Sequence, residues 1–440
     1  MAKKACSEAH ECSKEELNFH SIPATQTVIH GSYFEEHNPI ASISDDSAPI
    51  IFMISGSSYD FTDLSSIYYQ PTFKIFNADG KTDLVAADEV GPLNLLLHSH
   101  IQQIDVSLNG VNICPPSGEY RYKAYLKRPL TFSKEAKDTW LKIEGWKTDQ
   151  MGAKKSLDDF DNSGLVARAG WTALSKALQL YGRLDIDMAE QPRLIPNKVD
   201  IQVKLHRMPS AFCLMAKDEK IKYKMKITQA KLFVRKVVLT KSAALNMIKQ
   251  IEQSNFKYPH QRTEVKGFTM AKSINSKTFD NVFNGHIPTK VFVAFVELDA
   301  YNGQYAKNGF NFKNFSMQSL SLVVNGQQIP ATPIEPDFDE HQLSRAYALF
   351  QDSVGVLNRD FSNGIDVESW ANGNTVYGID LTPDLSMYSC DHISPYKEGT
   401  VNLNIKLKKD DKRAALQVLV MGCFNSIIEI DRNRNVLLDY

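Results

Sequence analysis

None of the short signatures of common catalytic machinery occurs in these 440 residues. There is no Gly-x-Ser-x-Gly nucleophile turn, no His-Glu-x-x-His zinc helix and no Gly-x-x-x-x-Gly-Lys phosphate cradle. A dominant charge is lacking too. The 50 Lys plus Arg nearly cancel the 51 Asp plus Glu, so any contact with a polyanion has to be local. Apolar runs are short. Residues 291–296 are among the longest, far below the ~18 needed for a membrane-crossing helix, so no membrane span is expected. The start is polar through Glu16 and has no apolar secretory core, which predicts synthesis in the cytosol with no secretion signal. Cysteine is sparse and scattered (Cys6, Cys12, Cys114, Cys213, Cys390, Cys423). Without a signal, reduced thiols are the expectation rather than a disulfide framework.

What is present is an ordinary globular composition, 43% hydrophobic and 23% charged, in a chain long enough for two domains of about 200 residues. Residues 1–45 read as a polar arm without periodicity. From Ile50 onward, short apolar stretches alternate with turn signals. Stretches 51–54, 72–76, 104–108, 199–205 and 221–227 read as strands, and so do 291–296, 320–324, 401–407 and 416–421. Helical patterning is rare. The best is 242–255, where Leu245, Ile248 and Ile251 share a face. The expected layout is an N-terminal arm (1–45), a first β domain (46–240), a connecting helix (241–255) and a second β domain (256–440). Strands at this density indicate an all-β sandwich or barrel in each domain.

Four sequence boxes recur in the same order in the two halves. IDVSLNGVNICP (104–115) answers LSLVVNGQQIP (320–330); KAYL (123–126) answers RAYA (345–348). Tyr181-Gly182 followed by Asp185 answers Tyr377-Gly378 followed by Asp380, and VDIQVKL (199–205) answers VNLNIKL (401–407). The first box runs into Asn-Gly in both copies, the pair best suited to a type I′ hairpin turn because both central residues need positive φ. The fourth alternates apolar and polar strictly, so one face of its strand is buried and the other wet. An ordered set of this kind points to tandem duplication of one β domain.

The stretches VGPLNLLLHS (90–99), VSLNG (106–110), YRYKAY (120–125), SAFCLM (210–215), SKTFDNVF (276–283) with Lys277, DLTPD (380–384) and EIDRNR (429–434) carry a further pattern. Together they make the chain, from roughly Ile40 to Tyr440, resemble the hexon-type major capsid proteins of adintoviruses and Maverick/Polinton elements. The resemblance implies a double jelly roll: two eight-stranded sandwiches in one chain, with few short helices. It also implies a pseudo-hexameric homotrimer that tiles the icosahedral shell of a DNA virus. Its partners would be itself, penton and minor capsid proteins and, non-specifically, packaged DNA, and its location the virion capsid. The quoted stretches are structural, so no catalytic, cofactor-binding or metal-binding residue is carried over, no cofactor is implied, and the chain is expected not to be an enzyme.

Several constellations carry residue types that could do chemistry. Cys6, His10, Cys12 and His20, or His98 with His100, lack the second hook of a structural zinc site. Asp158, Asp159 and Asp161 lack the spacing of a calcium loop. Asp185, Asp187 and Glu190, and Asp337, Asp339 and Glu340, read as solvated loops without an opposing group. Cys114 has no basic activator in the sequence around it. Lys222, Lys224 and Lys226 form a basic stripe that suits either packaged DNA or protection of a sheet edge. Tyr301, Tyr305, Phe310, Phe312 and Phe315 suit a loop anchored by buried rings, with a stacking surface the other reading. Loops 147–160, 301–315 and 352–373 are the expected subunit contacts or outer crown. Two alternatives share the architecture: a two-domain jelly-roll enzyme of the glycan amidase type, and a carbohydrate-binding lectin.

Overall fold

The computed structural model describes residues 22–440 except 45–46, 58, 116, 151–155, 388–391 and 440; of the first 21 residues it describes Glu16 and Phe19. Cys6, His10, Cys12, His20 and Cys390, and most of the first 21 residues of the expected arm, lie outside the described residues.

The first half contributes strands β1 (Ile29–His37), β2 (Ile50–Ile54), β3 (Asp60–Asn77), β4 (Ile101–Leu108), β5 (Val111–Asn112), β6 (Leu178–Gln179), β7 (Gly182–Arg183), β8 (Ile201–Arg207) and β9 (Tyr223–Leu239). They form two antiparallel sheets. One has the order β1-β9-β3-β6, with β7 also on β3; the other has the order β2-β8-β4-β5. The second half contributes β10 (Phe256–Met270), β11 (Ser276–His286), β12 (Lys290–Glu297), β13 (Met317–Val324), β14 (Gln327–Ile334), β15 (Val376–Asp380), β16 (Glu398–Leu407) and β17 (Leu416–Ile430). Its sheets run β10-β17-β12-β15 and β11-β16-β13-β14. Taken strand for strand, with β6 and β7 together filling one station, the two orders are the same. The protein is two jelly rolls in tandem.

The recurrent boxes fall at equivalent stations. Asn109-Gly110 turns β4 into β5 and Asn325-Gly326 turns β13 into β14, with all four residues at positive φ. The alternating box becomes β8 and β16, where Val203, Leu205, Val401, Leu403, Ile405 and Leu407 are all buried. The KAYL and RAYA boxes lie on helices that follow each hairpin: α1 (Tyr120–Thr131) and, in the second half, Ser344–Ser353. Between the halves runs α2 (Lys241–Gln253), so the helix Ser344–Ser353 is α3.

One sequence expectation needs correcting. Ile29–His37 falls within the stretch read as an arm, yet it pairs with Val234–Leu239 and their neighbours over most of its length and forms the outer strand of the first sheet. Its pattern is weak because an outer strand with both faces largely wet needs little alternation.

The cores of the two sandwiches are not separate. The core of the second takes in Leu93, Leu95, Tyr122, Tyr125, Trp146 and Phe212 from the first half. That of the first takes in Tyr258, Ile428 and Ile430 from the second. The seam is lined largely by α1, which lies with nearly every side chain buried.

Candidate functional site

Helix spacing puts Lys123, Lys127 and Arg128 on one side of α1. Opposite them, the segment after β7 bends into a 3₁₀ turn at Asp187–Glu190, bringing Asp185, Asp187 and Glu190 within 4.8 Å of one another. Such a carboxylate trio has the make-up of a hard-cation site, but an ammonium already fills it. Lys127 Nζ lies 3.2 Å from Asp185, 3.1 Å from Asp187 and 2.9 Å from Glu190. Lys123 Nζ adds a contact of 2.8 Å to Asp187. The other Asp187 oxygen accepts the backbone N–H of Thr263, on the second half, at 2.9 Å. Burial works against the charged form of Lys127, but the three carboxylates outweigh it and hold its pKa well above the usual lysine value. Burial likewise raises Asp187, and Lys123 and Lys127 outweigh it, leaving the carboxyl below its ordinary range. The sequence reading of this segment as a solvated loop is thus corrected. Asp185 and Asp187 are buried because buried Lys123 and half-buried Lys127, about 60 positions earlier, meet them there.

The two histidines of the candidate metal hook are both buried, but they face apart. His98 sits on a single helical turn, Leu96–Ser99, and is fully buried. Its Nδ1 is 2.9 Å from the Tyr120 hydroxyl, and its Nε2 is 3.3 Å from Glu144 and 3.2 Å from Arg128. His100 faces elsewhere. It stacks on Tyr69 with centroids 5.7 Å apart, and its Nδ1 is 2.8 Å from the Leu96 carbonyl oxygen. Burial lowers the His100 pKa to about 3, so the ring is neutral at ordinary pH. The two imidazoles do not converge.

The remaining candidates are occupied by structure. Asp158 accepts from Asn308 N–H at 2.9 Å and Asn311 Nδ2 at 3.0 Å, and pairs with Lys313 at 3.0 Å, pinning one half to the other. Asp337, Asp339 and Glu340 lie in a loop near the surface, where Lys408 pairs with Asp339. Cys114 is buried, and burial pushes its thiol up to about 12, which makes it a poor nucleophile. The aromatic run splits into a buried seam and a rim. Phe310 stacks on Tyr125 with centroids 3.9 Å apart, and Tyr301 stacks on Tyr122 at 5.7 Å. The rings of this loop therefore pack within the chain, between its two halves. For the lysine stripe, β1 covers β9 only over Leu232–Leu239. Lys224 and Lys226 lie on the uncovered length of β9, where charged side chains discourage pairing with another sheet. A recess of about 950 Å³ lies between the halves. Part of its charged wall is paired: Lys313 with Asp158 and Glu297, and Lys307 with Glu297 and Asp299.

No model of a known protein family matches the chain. An uncharacterized protein of Caenorhabditis elegans, F54H12.2, is 25% identical over 436 residues, covering 95% of this chain and 99% of its own length. Among solved structures, the fold is similar to that of the Sputnik virophage determined by cryo-EM, with a TM-score of 0.62 and 12% identity over 98% of this chain and 93% of that one. It is also similar to the PBCV-1 virus capsid (TM-score 0.60, 11% identity, 96% and 99% covered). The mavirus major capsid protein aligns as well (TM-score 0.50, 10% identity, 98% and 95% covered). At these identities the likeness establishes the architecture: two jelly rolls in one chain, matched along nearly the whole length of each structure. No helix among the described residues is long and apolar enough to cross a membrane.

Proposed function

We propose that the chain is a major capsid protein, a structural component of a virion shell that assembles with copies of itself rather than catalysing a reaction. The observation that carries this reading is the repeated strand order in two sandwiches whose cores interpenetrate. Two similar units fixed side by side in one chain become six around a three-fold axis. A trimer of this kind presents a nearly hexagonal outline suited to tiling. The likeness to capsid structures over almost the full chain supports the same reading. The adintovirus or Polinton affiliation belongs to the proposal; the quoted stretches support it. The pseudo-hexameric homotrimer, penton and minor capsid proteins as partners, non-specific contact with packaged DNA, and synthesis in the host cytosol belong to the proposal too. The proposed units are sandwiches of 46–240, extended by β1, and 256–440, joined by the helix at 241–255.

The test is the native mass of the purified full chain. A closed trimer of a 49.6 kDa chain gives about 149 kDa by light scattering, with six-lobed particles in negative stain. A monomer at micromolar concentration under every salt and pH tried sinks the capsid reading.

A further inference from the structure

One apolar groove lies outside the ionic centre and the seam. It measures about 560 Å³ and runs between α2 and the end of the first sandwich, lined by Tyr59, Phe61, Val238, Met247, Ile248 and Phe256. Lys241 and Arg434 stand on its rim. The chain leading into β1 emerges at the same place: His30 lines the groove, and Thr240 N–H donates to the Val28 carbonyl at 2.9 Å. Upstream of Val28 the sequence carries Glu15, Glu16, Leu17, Phe19 and Ile22. Phe19 and Ile22 stand 79% and 85% exposed and do not line the groove of their own chain. An open apolar groove with a basic rim thus sits beside a tether bearing apolar side chains and an acidic pair.

We infer that the groove receives segment 17–22 of a neighbouring copy in the capsomer; this rests on the capsomer reading above. Leu17, Phe19 and Ile22 provide the apolar filling, and Glu15 meets Lys241 on the rim. From Leu17 to Val28 is eleven residues, a reach of at most about 40 Å when extended, enough to leave one subunit and enter the next. Each copy offers one arm and one groove, so in a closed three-fold ring a head-to-tail exchange leaves no arm or groove unmatched.

The test uses the full-length chain with the photocrosslinker p-benzoylphenylalanine at position 19, co-expressed with a second copy carrying a different affinity tag. Light scattering is recorded on the same sample. The expected result is a trimer in which irradiation joins position 19 to groove residues such as Met247 and Ile248 of the differently tagged copy. Separately, Phe19→Ala and Ile248→Asp should each raise the subunit dissociation constant by about 10- to 100-fold, as loss of a buried large apolar side chain does. Both residues are solvent-accessible, so the variants should fold. A trimer whose crosslinks stay within one chain, or fall outside the groove, overturns the arm exchange and leaves the capsomer reading standing. A monomer overturns both.

Discussion

Tyr125 and Phe310 lie face to face across the seam of the molecule, with centroids 3.9 Å apart and planes 7° from parallel. One ring belongs to the helix after the first hairpin, the other to a loop of the second sandwich, and both are buried. Phe212 meets Phe310 edge-on at 5.8 Å, completing a small aromatic core.

The stack predicts that the halves unfold together. Phe310→Ala removes the ring and leaves a cavity, which should cost about 3–5 kcal/mol. Calorimetry of wild type should show one cooperative transition. Two well-separated transitions in wild type would contradict the seam, as would a Phe310→Ala midpoint in urea unchanged from wild type.

A second prediction concerns the ammonium among the carboxylates. Lys127→Met keeps the stem and deletes the charge, leaving Asp185 and Asp187 buried with only Lys123 directly paired and Arg128 farther off. Removing one partner of a buried ionic cluster should cost about 3–5 kcal/mol. Chemical denaturation measures it. A loss below about 1 kcal/mol would mean the cluster is effectively solvated.

The duplicated glycines make a paired prediction. A Cβ on Gly378 would run into Ser353 Oγ, and one on Gly182 would meet Leu97 and Glu144. Both glycines lie where a strand passes close under packed side chains, at corresponding stations of the two sandwiches. Gly182→Ala and Gly378→Ala should each destabilise by about 1–3 kcal/mol through overpacking. Gly31, with nothing near its Cβ position, is the control and should accept alanine with little change. Equal midpoints for all three variants would sink the close-approach argument.

The sandwiches were legible because their signals are local. Alternation in 199–205 and 401–407 marks a half-buried strand wherever it occurs, and Asn-Gly marks the hairpins. Even the side-chain bonds repeat: Asn109 Oδ1 accepts from Asp200 N–H at 2.8 Å, and Asn325 Oδ1 from Thr400 N–H at 2.9 Å. The ionic centre was not legible. Lys127 and Asp185 are 58 positions apart, and each, read alone, is an ordinary surface residue. For the same reason α1 reads as polar although it is buried: Lys123 and Arg128 along it find their partners, Asp187 and Glu144, only in the folded chain. The aromatic loop gave its buried rings but not their partner, because Tyr125 lies in the other half.

The last prediction is the acid sensitivity of the core. Burial lowers the pKa of both His98 and His100, the latter to about 3, against an ordinary value near 6.5. Unfolded, these rings take up protons below about pH 6.5; folded, His100 resists until about pH 3. The unfolded state therefore binds more protons throughout that window. Stability from the neutral rings is complete above pH 6.5 and falls as the pH drops. The carboxyls of Asp187 and Glu144, also lowered because Lys123 and Lys127, and His98 and Arg128, outweigh burial, act the same way but only below about pH 4. Acid should thus weaken the protein in two stages, the first belonging to histidine. His100→Gln removes one titrating ring from the first stage. Between pH 6 and 4.5 its stability should fall less steeply than wild type by about 1.4 kcal/mol per pH unit, the value for one proton. Urea denaturation at half-unit pH steps reads this slope directly. Parallel slopes for wild type and variant would show that His100 already protonates in the folded protein, which its burial against Tyr69 and Phe73 argues against.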